Sequence, residues 1–130
     1  MTVFVDTSAL LALLDEDEPR HPEASDALRR LVGIELVTHT FVVVEAAALV
    51  ARRLPWAATQ QLLYGLLPVI DVKPIESVLY DAALDAYGRS TSPAISLVDR
   101  TSFALMRSLG IRRAFAFDRD FAREGFELVA

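Results

Sequence analysis

Residues 2–14 read TVFVDTSALLALL. The first five, TVFVD, are mostly β-branched or aromatic, which marks a short strand. Residues 7–14 read as a helix, with Thr7 or Ser8 as its cap. The same alternation runs outward along the chain. Pro22 suits a helix start, and residues 23–32 place Ala24, Leu28, Leu31 and Val32 on one face before Gly33 stops them. Residues 35–38 form a second strand, 40–53 a long helix with Thr40 as cap, and 56–67 another helix. A third strand covers 69–72, and an amphipathic helix covers 74–87. After a Ser- and Thr-rich loop at 88–93 come a helix at 94–109, closed by Gly110, and strands at 113–117 and 126–129. Strands separated by helices imply right-handed crossovers. The expected fold is α/β: a three-layer α/β/α sandwich with a mostly parallel central sheet.

The chain has 130 residues and no linker, repeat or composition break, so a single domain over 1–130 is expected. Hydrophobic residues make up 53% and charged residues 24%, which excludes disordered and low-complexity classes. There is no Cys, so disulfides, thiolate catalysis and zinc–cysteine sites are excluded. Only His21 and His39 are present, too few for a three-His metal site. The longest apolar stretch, residues 41–51, is interrupted by Glu45 and is too short for a bilayer. The N-terminus lacks a basic leader. A cytoplasmic protein with no membrane partner is the expectation. The formal charge of −5 argues against passive binding of nucleic acid. The acidic run 15–18 reads as a solvated loop, and His21 and His39 as local or surface residues.

Parallel sheets bind ligands at the carboxyl ends of their strands. Asp6 ends the first strand and Asp118 the fourth, so both should project at one edge. Two more acids stand in apolar company: Glu45 in FVVVEAAALV and Asp99 in AISLVDRTSFALM. For any one of them, a cap, an ion pair or a narrow polar face is the ordinary reading. Four together point further. An unpaired buried carboxylate is costly, and clustered carboxylates raise one another's pKa unless a cation joins them. Hard oxygen donors without His or Cys favour Mg²⁺ or Mn²⁺. That arrangement suits metal-assisted hydrolysis of a phosphodiester.

Four segments carry a family resemblance: VDTSALLAL at 5–13, VVVEAAAL at 42–49, SLVDRTSFALM at 96–106 and AFAFDRDF at 114–121. In this order and spacing the chain resembles PIN-domain proteins, and more narrowly the VapC-type toxins of bacterial type II toxin–antitoxin pairs. The resemblance covers essentially the whole chain. It implies metal ligation and catalysis by Asp6, Glu45, Asp99 and Asp118. Ser8 matches the hydroxyl position of the first segment, Thr7 is beside it, and Asp120 falls at a less fixed position. The resemblance further implies an Mg²⁺- or Mn²⁺-dependent endoribonuclease, a homodimer, and a VapB-like antitoxin joining it in a heterotetramer or larger complex.

Arg100 and Arg119 each follow a proposed ligand and could hold RNA phosphate. Arg52–Arg53 and Arg112–Arg113 are weaker candidates for RNA contact. The apolar helix containing Trp56, Leu62, Leu63 and Tyr64 reads as core, with a partner-helix groove as the alternative. Two other functions fit acids at strand ends. A phospho-acceptor receiver domain needs a Lys near the last strands, whereas the only Lys here is Lys73. A non-catalytic Mg²⁺-binding module would use the same acids for a structural ion. A haloacid-type phosphatase is disfavoured, because VDTSA lacks an acid two residues after Asp6.

Overall fold

The computed structural model describes residues 1–130. Five strands form one sheet: β1 (Thr2–Val5), β2 (Glu35–His39), β3 (Asp71–Lys73), β4 (Arg113–Phe115) and β5 (Glu127–Leu128). Their order is β3-β2-β1-β4-β5, and every adjacent pair is parallel. The helices are α1 (Thr7–Leu14), α2 (His21–Arg30), α3 (Thr40–Arg53), α4 (Trp56–Gln61), α5 (Ser77–Gly88), α6 (Leu97–Leu109) and α7 (Asp120–Arg123). From β1 the chain steps outward through β2 to β3, then returns across β1 to β4. Right-handed crossovers therefore put α1–α4 on one face and α5–α7 on the other. The direction of winding reverses between β1 and β4, and the carboxyl ends of the strands at such a switch are where parallel sheets bind ligands.

Burial explains why these segments form these elements. Val3, Phe4 and Val5 are all buried, as expected for a central strand covered on both faces. On α3, Val42, Ala46 and Val50 recur every four residues and make the buried stripe. Phe121 of α7 is fully buried, with its ring centroid 4.9 Å from Phe103, 6.1 Å from Phe4 and 6.3 Å from Phe126. These contacts bolt the segment after β4 onto α6 and β1.

Several sequence expectations need correction. Asp6, not Thr7 or Ser8, caps α1, and His39, not Thr40, caps α3. The helix expected at 56–67 is α4 only to Gln61; it then widens into a π-helical turn over Leu62–Leu66 and tightens over Leu67–Val69. This irregular end delays β3 to residue 71. Helix α6 starts at Leu97 because the Ser96 side chain accepts a hydrogen bond from the Asp99 N–H. Gly110 closes it with φ of 69°, a left-handed conformation that suits Gly. Of the apolar residues expected in the core near α4, Leu62 is buried, but Trp56 and Tyr64 are 67% and 77% exposed. His21 starts α2, and its Nδ1 lies 2.7 Å from the Ala12 carbonyl. No helix is long and apolar enough to cross a membrane.

His39 is not at the surface: it is fully buried. Burial lowers its pKa from 6.5 to about 4, so the folded chain keeps it neutral while the unfolded chain protonates it. Proton uptake by the unfolded chain alone therefore lowers stability as pH falls from about 6.5 towards 4, by up to about 3 kcal/mol. The check is urea unfolding of wild type and His39→Gln between pH 7 and pH 4.5. Wild type should lose more stability with acid than the variant. Shifts of other groups act in both chains and cancel in the difference. Parallel curves would contradict the assignment.

Candidate metal centre

Asp6 follows β1 directly and is 3% exposed. Its Oδ2 accepts from the Ser8 N–H at 3.1 Å and from the Ser8 hydroxyl at 2.6 Å. The same Ser8 Oγ accepts from the Phe117 N–H at 2.9 Å, and the Asp6 N–H donates to the Phe115 carbonyl at 3.0 Å. Ser8 thus ties the ends of β1 and β4 together at the topological switch. Burial raises Asp6 to about 6 against the opposing pull of the Ser8 hydrogen bonds, with the Asp118 charge adding to the rise.

Ser8→Ala removes that tie and leaves the Phe117 N–H without its partner. The expected cost is about 1–3 kcal/mol. Thermal unfolding of the metal-free chain measures it, and an unchanged midpoint would show that the bridge contributes nothing.

Asp99 sits in the first turn of α6, partly buried. Burial raises its pKa above the ordinary carboxylate range, reinforced by the charges of Asp6 and Asp118, a hydrogen bond with Asp118, and the charge of Glu45. The charges of Asp6, Asp118 and Glu45 thus all bear on Asp99. Carboxylate oxygens of Asp99, Asp118 and Asp120 lie within 4.8 Å of one another. Asp120 thus joins Asp118 and Asp99 in space. The i, i+2 spacing of Asp118 and Asp120 was the signal for this. Asp118 Oδ1 accepts from the Asp120 N–H at 2.9 Å, and Asp120 pairs with Arg123 at 2.8 Å. Thr7 Oγ1, next to Asp6, is buried without a hydrogen-bond partner.

The donor set fits a hard divalent cation. It consists of carboxylates, some of them buried, with no His or Cys among them. No Arg or Lys forms an ion pair with Asp6, Glu45, Asp99 or Asp118, so no basic side chain offsets their mutual repulsion. Burial and like charge favour a proton on Asp99, and a bound cation would displace it.

The arginines divide by position. Arg100 is held in place: its guanidinium donates to Ser90 Oγ at 3.1 Å and pairs with Glu124 at 3.4 Å, while its buried Nε has no partner. Arg119 is exposed and forms no ion pair, so it is free to reach a ligand. Arg20 was not singled out in the sequence, yet its guanidinium lies 5.4 Å from the centre of the Phe117 ring, one residue before Asp118. Nothing in its local sequence signalled that approach. Arg113 begins β4 and pairs with Glu127 at 3.5 Å. It and Arg112 therefore lie at the amino edge of the sheet, away from the acids, and are poor candidates for contact with a ligand held there.

A PIN-domain profile matches residues 3–127, nearly the whole chain. The chain belongs to the PIN-domain family. It is 34% identical over 125 residues to the 23S rRNA-specific endonuclease VapC20 of Mycobacterium tuberculosis, covering 95% of each protein, in both the CDC 1551 and H37Rv strains. The crystal structure of that VapC20, described as a sarcin-ricin loop cleaving toxin, superposes with a TM-score of 0.83 over 95% of each chain. FitAcB from Neisseria gonorrhoeae shares the fold, with a TM-score of 0.70 at 15% identity, covering 98% of this chain and 96% of that one. These matches confirm the parallel α/β fold and the family resemblance. They leave no room for a receiver domain. Lys73, the only Lys, stands away from the last strands and pairs with Asp71 on edge strand β3.

Proposed function

We propose that this chain is a metal-dependent endoribonuclease, the toxin of a type II toxin–antitoxin pair. The observation that carries this reading is the gathering of the Asp99, Asp118 and Asp120 carboxylates within 4.8 Å of one another, with the charges of Asp6 and Glu45 acting on Asp99 and no Arg or Lys paired with Asp6, Glu45, Asp99 or Asp118. VapC20's activity as an RNA endonuclease, at 34% identity over 95% of the chain, supports it. The proposed unit is one domain spanning residues 1–130.

Asp6, Glu45, Asp99 and Asp118 would hold Mg²⁺ or Mn²⁺, with Asp120 able to join from beside Asp118. When bound, the cation would supply a water of lowered pKa and stabilise charge on the leaving oxygen. The chain's own contribution is placement. Ser8 fixes the Asp6 carboxylate, the Asp120 N–H fixes Asp118, and the Ser96 cap fixes the first turn bearing Asp99. Arg119, exposed beside Asp118, and Arg20, packed on the Phe117 ring, would neutralise phosphate there. Arg100, braced by Glu124 and Ser90, keeps one N–H uncommitted. No side chain is required as nucleophile.

A VapB-like antitoxin is the proposed inhibitor. An open cleft of about 270 Å³ between α1 and α4 joins Leu14, Leu54 and Ala58 to Asp15, Glu16 and Asp17. Apolar wall and acidic rim together suit a partner segment that is apolar on one side and basic on the other. A homodimer, paired with antitoxin as a heterotetramer or larger complex, is part of the same proposal.

The test is incubation of the antitoxin-free chain with 23S rRNA and with a mixed RNA pool, in Mg²⁺, Mn²⁺ or EDTA. Cleavage at defined positions that EDTA abolishes is expected. Specific metal binding by folded protein with no cleavage of either substrate would favour the non-catalytic binding module instead.

A further inference from the structure

We infer that His39 and Ser102 form a buried clamp that sets the separation of Glu45 and Asp99, making both positioning residues for the metal centre. This rests on the proposed metal site and goes beyond it, because neither residue is among the proposed ligands. His39 ends β2 and precedes α3; Ser102 lies on α6, three residues after Asp99. Both are fully buried.

The hydrogen bonds form a directed chain. The N–H groups of Phe41 and Val42 donate to His39 Nδ1 at 3.2 and 3.3 Å. Nδ1 must then be the bare nitrogen, which leaves the proton on Nε2. Nε2 lies 2.8 Å from Ser102 Oγ, so it donates there. The Ser102 hydroxyl passes its own proton on to the Val98 carbonyl at 3.0 Å. One imidazole thus holds the first turn of the Glu45 helix against the Asp99 helix. Phe4 packs against its ring, with centroids 5.8 Å apart.

The choice of residue supports this reading. Ser, Thr, Asp and Asn are the favoured helix caps. Any of these would satisfy the α3 N–H groups, but their side chains are too short to reach α6. An Asp would also add a charge to an already acidic region. A buried imidazole kept neutral caps α3 and reaches α6 without adding one. Outer partners of metal ligands commonly govern affinity by orienting the ligands rather than touching the ion.

Two substitutions separate the clamp from simple stability. His39→Asn keeps a capping side chain and loses the reach; Ser102→Ala keeps the cap and loses the partner. Val50→Ala, in the buried stripe of α3 and outside the clamp, serves as a control for general destabilisation. Mn²⁺ affinity of each purified chain is measured by titration calorimetry below its melting temperature. About a tenfold loss in both clamp variants is expected. Val50→Ala should bind as wild type does, although it melts earlier. Equal affinity in wild type and both clamp variants would overturn the clamp while leaving the metal site standing. Affinity that tracks melting temperature across all the variants would also overturn it. Failure of wild type to bind Mn²⁺ would remove both the metal site and the clamp.

Discussion

Asp99→Asn is expected to lower RNA cleavage by about a thousandfold, equivalent to about 4 kcal/mol of lost barrier reduction. The amide preserves shape and removes the charge at the point where the fields of Asp6, Asp118 and Glu45 overlap. The metal-free variant should fold at least as stably as wild type, because a neutral group replaces a carboxyl that burial and like charges oppose. That pairing of outcomes is informative. A general structural defect would lower activity and stability together. The check is single-turnover cleavage beside thermal unfolding in EDTA. Wild-type cleavage by the variant would remove Asp99 from the centre.

Phe121→Ala should be the most destabilising of the changes considered, at about 3–5 kcal/mol. The side chain is fully buried among Phe4, Phe103 and Phe126. The loss is a large part of the roughly 5–15 kcal/mol that holds an ordinary domain together. Its consequences reach the site, because Phe121 anchors the short segment that carries Asp118 and Asp120. Denaturant unfolding measures the loss. A cost below about 1 kcal/mol would mean that the cluster repacks and does not hold this segment.

The positions of the acids were legible in the sequence because two rules coincided. Parallel strands end in a crevice, and lone carboxylates in apolar helices need a partner. Asp6 and Asp118 followed from the first rule, Glu45 and Asp99 from the second. The alternation of strands and helices was equally readable, as was the span of α3, because periodicity and β-branching are local signals. What remained hidden was tertiary. Nothing near residue 56 announces that its helix will widen after Gln61 and delay β3. The short α7 has too few residues for a periodic signal. His39 was read as a local or surface residue because a single His carries no record of the Ser102 it meets 63 positions later. Arg20 meets Phe117 only once β1 and β4 are side by side. The caps of α1 and α3 were missed for a related reason. Each belongs to the last residue at a strand's carboxyl end, a place where function is looked for before helix termination.

The central claim is that this fold gathers its carboxylates to hold a divalent cation. The most direct test is a crystal structure of the chain grown with Mn²⁺, using anomalous scattering to locate the ion. The account predicts a peak coordinated by oxygens of Asp6, Asp99 and Asp118, with Glu45 contributing directly or through water. A fully ordered centre without a peak at millimolar Mn²⁺, or a peak only among the acids at 15–18, would contradict it.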